Sequence, residues 1–301
     1  MEQRFKLQWV VKQEQAGRTV REFLQEKKVS RTSLVAIKHG GGEIRLNDVP
    51  VTVRERVNEG DVLTVIFPPE KPSTILTPES LHLDIIYEDE AILIVNKPPN
   101  MATLPSRDHP SGTLANGLLH YYQETGLSST PHIVTRLDRN TSGLVLVAKH
   151  RHIHHLFNLQ QQAGQIEKQY IALAEGVFQH SSGKIEVPIS RKENSIIERT
   201  VSPEGQYACT IYNVIQQYAD FALVRIQLKT GRTHQIRVHL SYIGHPLLGD
   251  DLYGGKTEHI DRQALHCETL SFFHPLADKK IRFSASLPGD MEMIIKKAQN
   301  G

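Results

Sequence analysis

Downstream of Leu83 the apolar residues fall into many short runs. They read as strands at 85–87, 92–96, 144–148, 170–175, 209–216, 222–229 and 281–286. Helical spacing is found only at 112–123 and 150–163, with a further apolar, histidine-bearing segment at 233–243. Strands outnumber helices, and the strand–helix alternation that a parallel sheet requires is missing. The expected fold class is therefore α+β, with a mixed, largely antiparallel sheet. At 301 residues, 39% hydrophobic and 23% charged, the chain can bury a sizeable core and is not globally disordered. The longest apolar stretches, such as Ile92 to Val95 and Leu144 to Ala148, are far too short to cross a bilayer, so no membrane partner is expected. The first residues, Met1 to Lys6, lack the apolar run of a signal peptide. Cys209 and Cys267 are the only cysteines and form no CxxC, which excludes a disulfide scaffold and a four-cysteine zinc site. Low cysteine use fits a reducing compartment, and a cytoplasmic location is expected.

A smaller unit precedes this series. Phe5, Leu7, Trp9 and Val11 alternate as a strand. Val20, Phe23, Leu24 and then Leu34, Ile37 recur at helical spacing, with Ser30 as N-cap of the second helix and Gly40-Gly41-Gly42 as its stop. Strands are expected at 43–47, through Val49, Val51 and Val53, and at 62–66. Pro68, Pro69 and Pro72, with polar neighbours, resist both helix and central strand. The expected organisation is a unit at 1–68, a linker at 69–80 and a larger domain at 81–301. Residues 1–73 carry a balance of +3 and the remainder −1. Bulk charge thus neither announces nor excludes a polyanion, and nucleic-acid binding would rest on local patches.

The segment carrying the sharpest chemistry runs from His132 to Leu144. It is a polar loop that sets Asp138 between Arg136 and Arg139, turns through Thr141-Ser142-Gly143 and enters an apolar strand. Flanking cations favour the ionised carboxylate. An anionic Asp at a strand edge suits a nucleophile or a base, whereas a structural Asp accepting turn N–H groups is the plainer alternative. His150, His152, His154 and His155 mimic a metal cluster. With no Cys or acidic ligand nearby they read as a solvated helix face. The glycine triplet lacks the Gly-Lys-Ser/Thr ending of a phosphate loop, and no GxSxG elbow exists.

Arg136-Leu137-Asp138-x-x-Thr141-Ser142-Gly143-Leu144 resembles the signature loop of the RluA-type pseudouridine synthases. Further segments match that family in order: Tyr87-Glu88-Asp89-Glu90 through Asn96-Lys97-Pro98, Lys168-Gln169-Tyr170, Lys229 to Leu240 continuing through Gly244 to Asp250 and Tyr253-Gly254, Gln263 to His266, and Phe273-His274-Pro275. The resemblance spans residues 83–286. Residues 14–66 resemble the S4 RNA-binding fold, through Ala16-Gly17-Arg18, Ser30-Arg31-Thr32, Ile44 to Asn47 and Glu59-Gly60-Asp61. Two departures stand out. The family usually has His before Arg-Leu-Asp, where this chain has Thr135, and Pro99 to Pro105 replaces a common glycine and histidine-proline pattern.

The resemblance implies isomerisation of uridine within structured RNA, with no cofactor and no metal. Asp138 would be the essential carboxylate. Tyr170 would offer a flat face to the base, and Arg136 would fill the space left by an extruded nucleotide or hold the displaced strand. Arg232 and Arg237 would line the site, with Arg232 the favoured partner of Asp138, and Lys97 would line it as well. Ribosomal RNA is favoured over transfer RNA as the partner, and a monomer is the default assembly. Two other functions compete: a glycosidase needing a second acid such as Asp250 or Asp251 near Asp138, and an RNA-binding protein without catalysis.

Overall fold

The computed structural model describes residues 4–70 and 76–300. Its first part is a four-stranded antiparallel sheet with two helices. The elements are β1 (Lys6–Val10), α1 (Val20–Glu26), α2 (Arg31–His39), β2 (Glu43–Leu46), β3 (Val49–Pro50) and β4 (Val62–Ile66), in sheet order β1-β4-β2-β3. Each helix has a hydroxyl residue as its N-cap, and Ser30 is the one expected for α2. Thr19 Oγ1 accepts the Glu22 N–H, and the Glu22 carboxylate accepts the Thr19 N–H at 2.8 Å, a reciprocal cap for α1. Ser30 Oγ accepts the Ser33 N–H at 3.0 Å to cap α2. Val20, Phe23, Leu24 and Ile37 from the helices pack on Leu63 and Val65 of β4 to make a core of their own. The strand expected through Val53 is shorter than the alternation suggests and stops at Pro50, which has no N–H for the ladder. The linker expected at 69–80 lies in part, at 71–75, outside the described residues.

The rest is built on one large sheet. Its elements are β5 (Ile85–Glu88), β6 (Ile92–Lys97), α3 (Leu114–Glu124), β7 (His132–Ile133), β8 (Ser142–Ala148), α4 (Arg151–Gln162), β9 (Glu167–Glu175), β10 (Ser182–Glu186), β11 (Ile189–Arg191), β12 (Arg199–Val201), β13 (Cys209–Gln217), β14 (Phe221–Leu228), α5 (Gln235–Tyr242), β15 (Leu265–Phe273), β16 (Lys280–Ser284) and α6 (Gly289–Asn300). The main path is β10-β13-β14-β9-β15-β8-β6-β5, with β16 on β15 and β7 on β8. Only β8 and β15 pair in parallel among the described strands. The architecture is thus α+β with a mixed, mostly antiparallel sheet, as the sequence predicts. The expected strand pattern omits β15, which lies in the middle of the sheet. Leu265 to Phe272 is almost wholly buried, and His266, Glu268, Thr269 and Ser271 break up its apolar residues. The short hairpin β11–β12 and the C-terminal α6 are also additions to the sequence reading.

The parallel pair brings two backbones very close. Gly143, the second residue of β8, lies opposite Cys267 with φ +113°, and a Cβ there would meet Cys267 main-chain atoms at 2.4–2.5 Å. Only glycine fits both constraints. The turn leading into β8 is thereby fixed against the centre of the sheet.

The histidines of α4 do not form a solvated face. His150 and His152 are buried, and the N-terminal unit covers them. Phe5 stacks on His150 with ring centroids 3.9 Å apart, and Phe67 stacks on His152 at 5.1 Å. Glu70 reinforces the contact. One oxygen pairs with His132 Nε2, and the other accepts the Arg151 N–H at 2.7 Å. Apolar surroundings disfavour the imidazolium, so burial pushes both His150 and His152 down to about 4, although Glu70 pulls the other way at His150. In the unfolded chain each would titrate near ~6.5. The neutral, stacked rings therefore contribute stability that is complete above that pH and is lost as pH falls toward 4. A shift of this size corresponds to roughly 3 kcal/mol per ring. Chemical denaturation from pH 7 to pH 4 is expected to show stability falling across this window, with the slope reduced in a His152→Gln variant. Equal slopes for both proteins would refute this account of the interface.

Candidate active site

The loop between β7 and β8 is gripped through its main chain. Thr103 Oγ1 donates to Leu137 O at 2.7 Å and accepts the Leu137 N–H at 3.3 Å. Lys97 Nζ donates to Pro98 O and Met101 O at 2.8 Å each and to Arg139 O at 3.1 Å. Arg262, itself forked onto Asp290, donates to Asn140 O at 3.1 Å. Within the loop, Thr141 N–H closes a turn on Asp138 O. Residues either side of Asp138 are thus held by three neighbouring segments. The Asp138 side chain is left 30% exposed at the mouth of a cavity of about 90 Å³. It is the only carboxylate lining that cavity among the described residues.

The opposite wall comes from the bend after β14 and from α5. Arg237 Nη1 lies 3.4 Å from Asp138 Oδ2. The same guanidinium makes a fork to Asp250, Nε to Oδ2 at 2.7 Å and Nη2 to Oδ1 at 2.8 Å, and sits 4.9 Å from the centre of the Tyr253 ring. Asp250 is fully buried. A planar five-donor group serves both acids at once, so one arginine is locked by a hidden carboxylate and aimed at the accessible one.

His234 begins α5 in the left-handed region, at φ +56°. Its Nδ1 lies 2.8 Å from the Tyr253 hydroxyl, which accepts the Arg199 N–H at 2.9 Å. The hydroxyl then has its own proton to give, and Nδ1 is the acceptor it meets among the described residues. That pairing leaves the ring N–H on Nε2, which faces Asp138 Oδ2 at 3.8 Å. Burial lowers the His234 pKa, with Arg237 and Arg199 adding to the effect and Asp138 opposing it. Burial thus favours the neutral ring, whose Nε2 faces Asp138.

Tyr170, on β9, lines the cavity and is almost fully buried. Burial, with Cys267 and Asp138 close by, raises its phenol well above the ordinary value, so it stays neutral. Lys168 shares the cavity wall with its ammonium 6.0 Å from the Tyr170 ring centre. Burial lowers the Lys168 pKa, and Asp138 works against that shift.

Several sequence expectations need correction. Arg237, not Arg232, contacts Asp138. Arg232 lies on the bend before α5, lines the cavity, and spends its Nε on Tyr207 O at 3.0 Å. Lys97 does not line the cavity. It is wholly buried behind the loop, where burial pushes its ammonium down to about 7 against the pull of Asp138. Thr135 points away from the cavity: its hydroxyl accepts the Leu146 N–H at 2.9 Å inside the sheet. Arg136 is exposed at the cavity mouth, with no hydrogen bond or ion pair among the described residues. Asp250, considered as a second acid for glycoside cleavage, has both oxygens bound to Arg237 and no access to solvent. Lys168, His234 and Tyr253 lie in the matched motifs, yet their roles follow only from which side chains the fold brings together.

Comparison with known proteins identifies the family of the chain. Residues 91–242 match the RNA pseudouridylate synthase family. The chain is 50% identical to an uncharacterised RNA pseudouridine synthase, YjbO, of Bacillus subtilis, over 92% of this chain and 98% of that protein. It is 37% identical to ribosomal large subunit pseudouridine synthase D of Escherichia coli, over 73% of this chain and 71% of that one. Among solved structures, human RNA pseudouridylate synthase domain containing 4 superposes with a TM-score of 0.59 at 22% identity. That match covers 71% of this chain and 92% of the human one, a likeness of fold.

Proposed function

The chain belongs to the RNA pseudouridylate synthase family and is an isomerase acting on RNA. From that premise we propose that it converts a uridine of large-subunit ribosomal RNA, with Asp138 as the essential carboxylate. The observation that carries this reading is the lone cavity carboxylate, fixed through its main chain and facing an arginine locked by Asp250.

The reaction breaks the N1–C1′ bond, turns the uracil and joins C5 to C1′. The C5 proton leaves and N1 gains one, so the product is an isomer and nothing is oxidised or consumed. The target base must first leave its stack, at a cost of about a few kcal/mol. Arg136, free at the rim, fills the vacated space or holds the displaced strand. Tyr170 presents its flat face to the base, an interaction of roughly 1–3 kcal/mol for nucleobases on aromatic rings. Asp138 acts through its carboxylate, which faces Arg237 at 3.4 Å. The preference for ribosomal RNA is supported by the name of the Escherichia coli relative.

The N-terminal residues up to 68 are read as an S4-like RNA-holding unit. Lys28, Arg31 and Lys38 support this, being exposed on and beside α2 with no carboxylate partner among the described residues. Deleting the unit would remove Phe5 and Phe67 and bare His150 and His152 beneath them, so charge substitution is the cleaner test.

Pseudouridine mapping of total RNA from a strain lacking this gene is expected to lose signal at one or a few large-subunit positions, restored by the wild-type gene. Loss confined to transfer RNA would overturn the ribosomal assignment, and no loss anywhere would overturn the reading as a whole. On the RNA so identified, the triple variant Lys28→Gln, Arg31→Gln, Lys38→Gln should bind more weakly. Its salt slope should shrink by about 0.7–0.9 for every phosphate that the variant no longer neutralises. An unchanged slope would make the unit purely structural.

A further inference from the structure

A second cavity, of about 380 Å³, opens beside the first. It lies under the β11–β12 hairpin and shares Gly231 and Arg232 with the catalytic cavity. Its wall holds three guanidinium groups, Arg191 and Arg199 from the hairpin and Arg232 from the bend before α5, against one carboxylate, Glu204. We propose that this cavity is a subsite for a backbone phosphate of the RNA, at a nucleotide next to the one entering the catalytic cavity.

The contrast with neighbouring arginines carries the argument. Arg237 and Arg262 are each neutralised by a bidentate carboxylate. None of the three in the second cavity has a carboxylate within ion-pair distance among the described residues. They are instead oriented by main-chain carbonyls: Arg191 to Ile196 O at 3.3 Å, Arg199 to Ile197 O at 3.1 Å and Glu198 O at 3.0 Å, and Arg232 to Tyr207 O at 3.0 Å. Of the two acids in the hairpin connection, Glu193 and Glu198, neither lines the cavity, and Glu198 is paired with Lys192 at 2.8 Å. A guanidinium has five N–H donors. These hydrogen bonds steer each fork and leave most of its donors unspent, so the cavity is pre-organised for an anion with several acceptor oxygens. A polymer threaded from one cavity to the next supplies a phosphodiester there.

The subsite is also wired to the reaction centre. The Arg199 main-chain N–H is the donor that orients Tyr253, and through it His234 beside Asp138. Seating a phosphate against the hairpin thus fixes the element that sets the tautomer of the ring facing the carboxylate.

The proposal rests on the reading that this enzyme isomerises uridine in RNA, and its test separates the two. The full chain and its Arg191→Gln, Arg199→Gln double variant are titrated with an oligonucleotide carrying the mapped target. A second series replaces single linkages flanking the target with neutral methylphosphonates, each on a 2′-O-methyl ribose, with the 2′-O-methyl phosphate as control. The double variant should bind roughly ten- to a hundredfold more weakly near 0.1 M salt, with the salt slope reduced by about 0.7–0.9 for each phosphate left unneutralised. One methylphosphonate should weaken the wild type by a similar factor and leave the double variant no weaker than before. Unchanged affinity and slope in the double variant, or a methylphosphonate penalty identical in both proteins at every linkage, overturns the subsite. Failure of the wild type to form pseudouridine in that RNA overturns the catalytic reading instead.

Discussion

Asp138→Asn is expected to bind its RNA within a few-fold of the wild type and to form no measurable pseudouridine. The amide keeps the volume and planarity of the carboxylate, so the turn closed by Thr141 on the main-chain oxygen of residue 138 is untouched. What disappears is the negative charge that Arg237 and His234 face. A carboxylate in this place can add to C1′, add to the base or take a sugar proton, and an amide does none of these at a useful rate. Loss of an essential nucleophile or base lowers rates on the order of 10⁴-fold or more. Quantifying pseudouridine against time, beside a direct binding titration, checks both halves. Full isomerase activity in this variant would end the mechanism, whereas loss of binding alone would recast Asp138 as a docking residue.

Replacing Arg237 by Met should have the largest effect on stability. Asp250 is fully buried, and both its oxygens rest on this guanidinium. Removing the cation leaves an uncompensated charge in the interior, a change that costs about 3–5 kcal/mol. Urea unfolding is expected to show that loss. The paired change Arg237→Met, Asp250→Leu should recover most of the stability, because no buried charge is then stranded. Activity should not return with it, since Asp138 still lacks its cation. Recovery of both together would mean that Arg237 serves the fold alone. A single variant within about 1 kcal/mol of the wild type, against the cost of stranding a buried ion, would show that Asp250 is not held as an anion by this pair.

The contrast between Arg232 and Arg237 shows where sequence reading stops. Both sit in one polar run, five positions apart, and either is a plausible partner for the loop acid. The choice depends on where α5 begins. His234 takes the left-handed conformation, the helix starts at Gln235, and Arg237 falls on its buried side while Arg232 is left on the bend outside. No propensity rule places a histidine at such a start. Asp138 and Tyr170 are marked by family resemblance, since local pattern alone reads a turn aspartate and a half-buried strand tyrosine, and both line the cavity. Lys97 is marked too, but its position beside the loop does not reveal that its three donors face carbonyls behind it. Histidines 150 and 152 mislead for a related reason: a polar helix face reads as wet until a second layer is known to lie on it. Strand β15 escapes notice because His266, Glu268, Thr269 and Ser271 break up its apolar residues and its register shifts between Cys267 and Thr269.

The stacking of Phe5 and Phe67 on the α4 histidines, with Glu70 clamping the same seam, has a bearing on substrate choice. A nucleic-acid module on a floppy tether raises the local concentration of any RNA within its reach. A module seated in this way behaves as a calliper. For the proposed RNA-holding unit, only a transcript whose two recognised features stand at the matching span engages both jaws, so selection of the target becomes a measurement of length as well as of sequence.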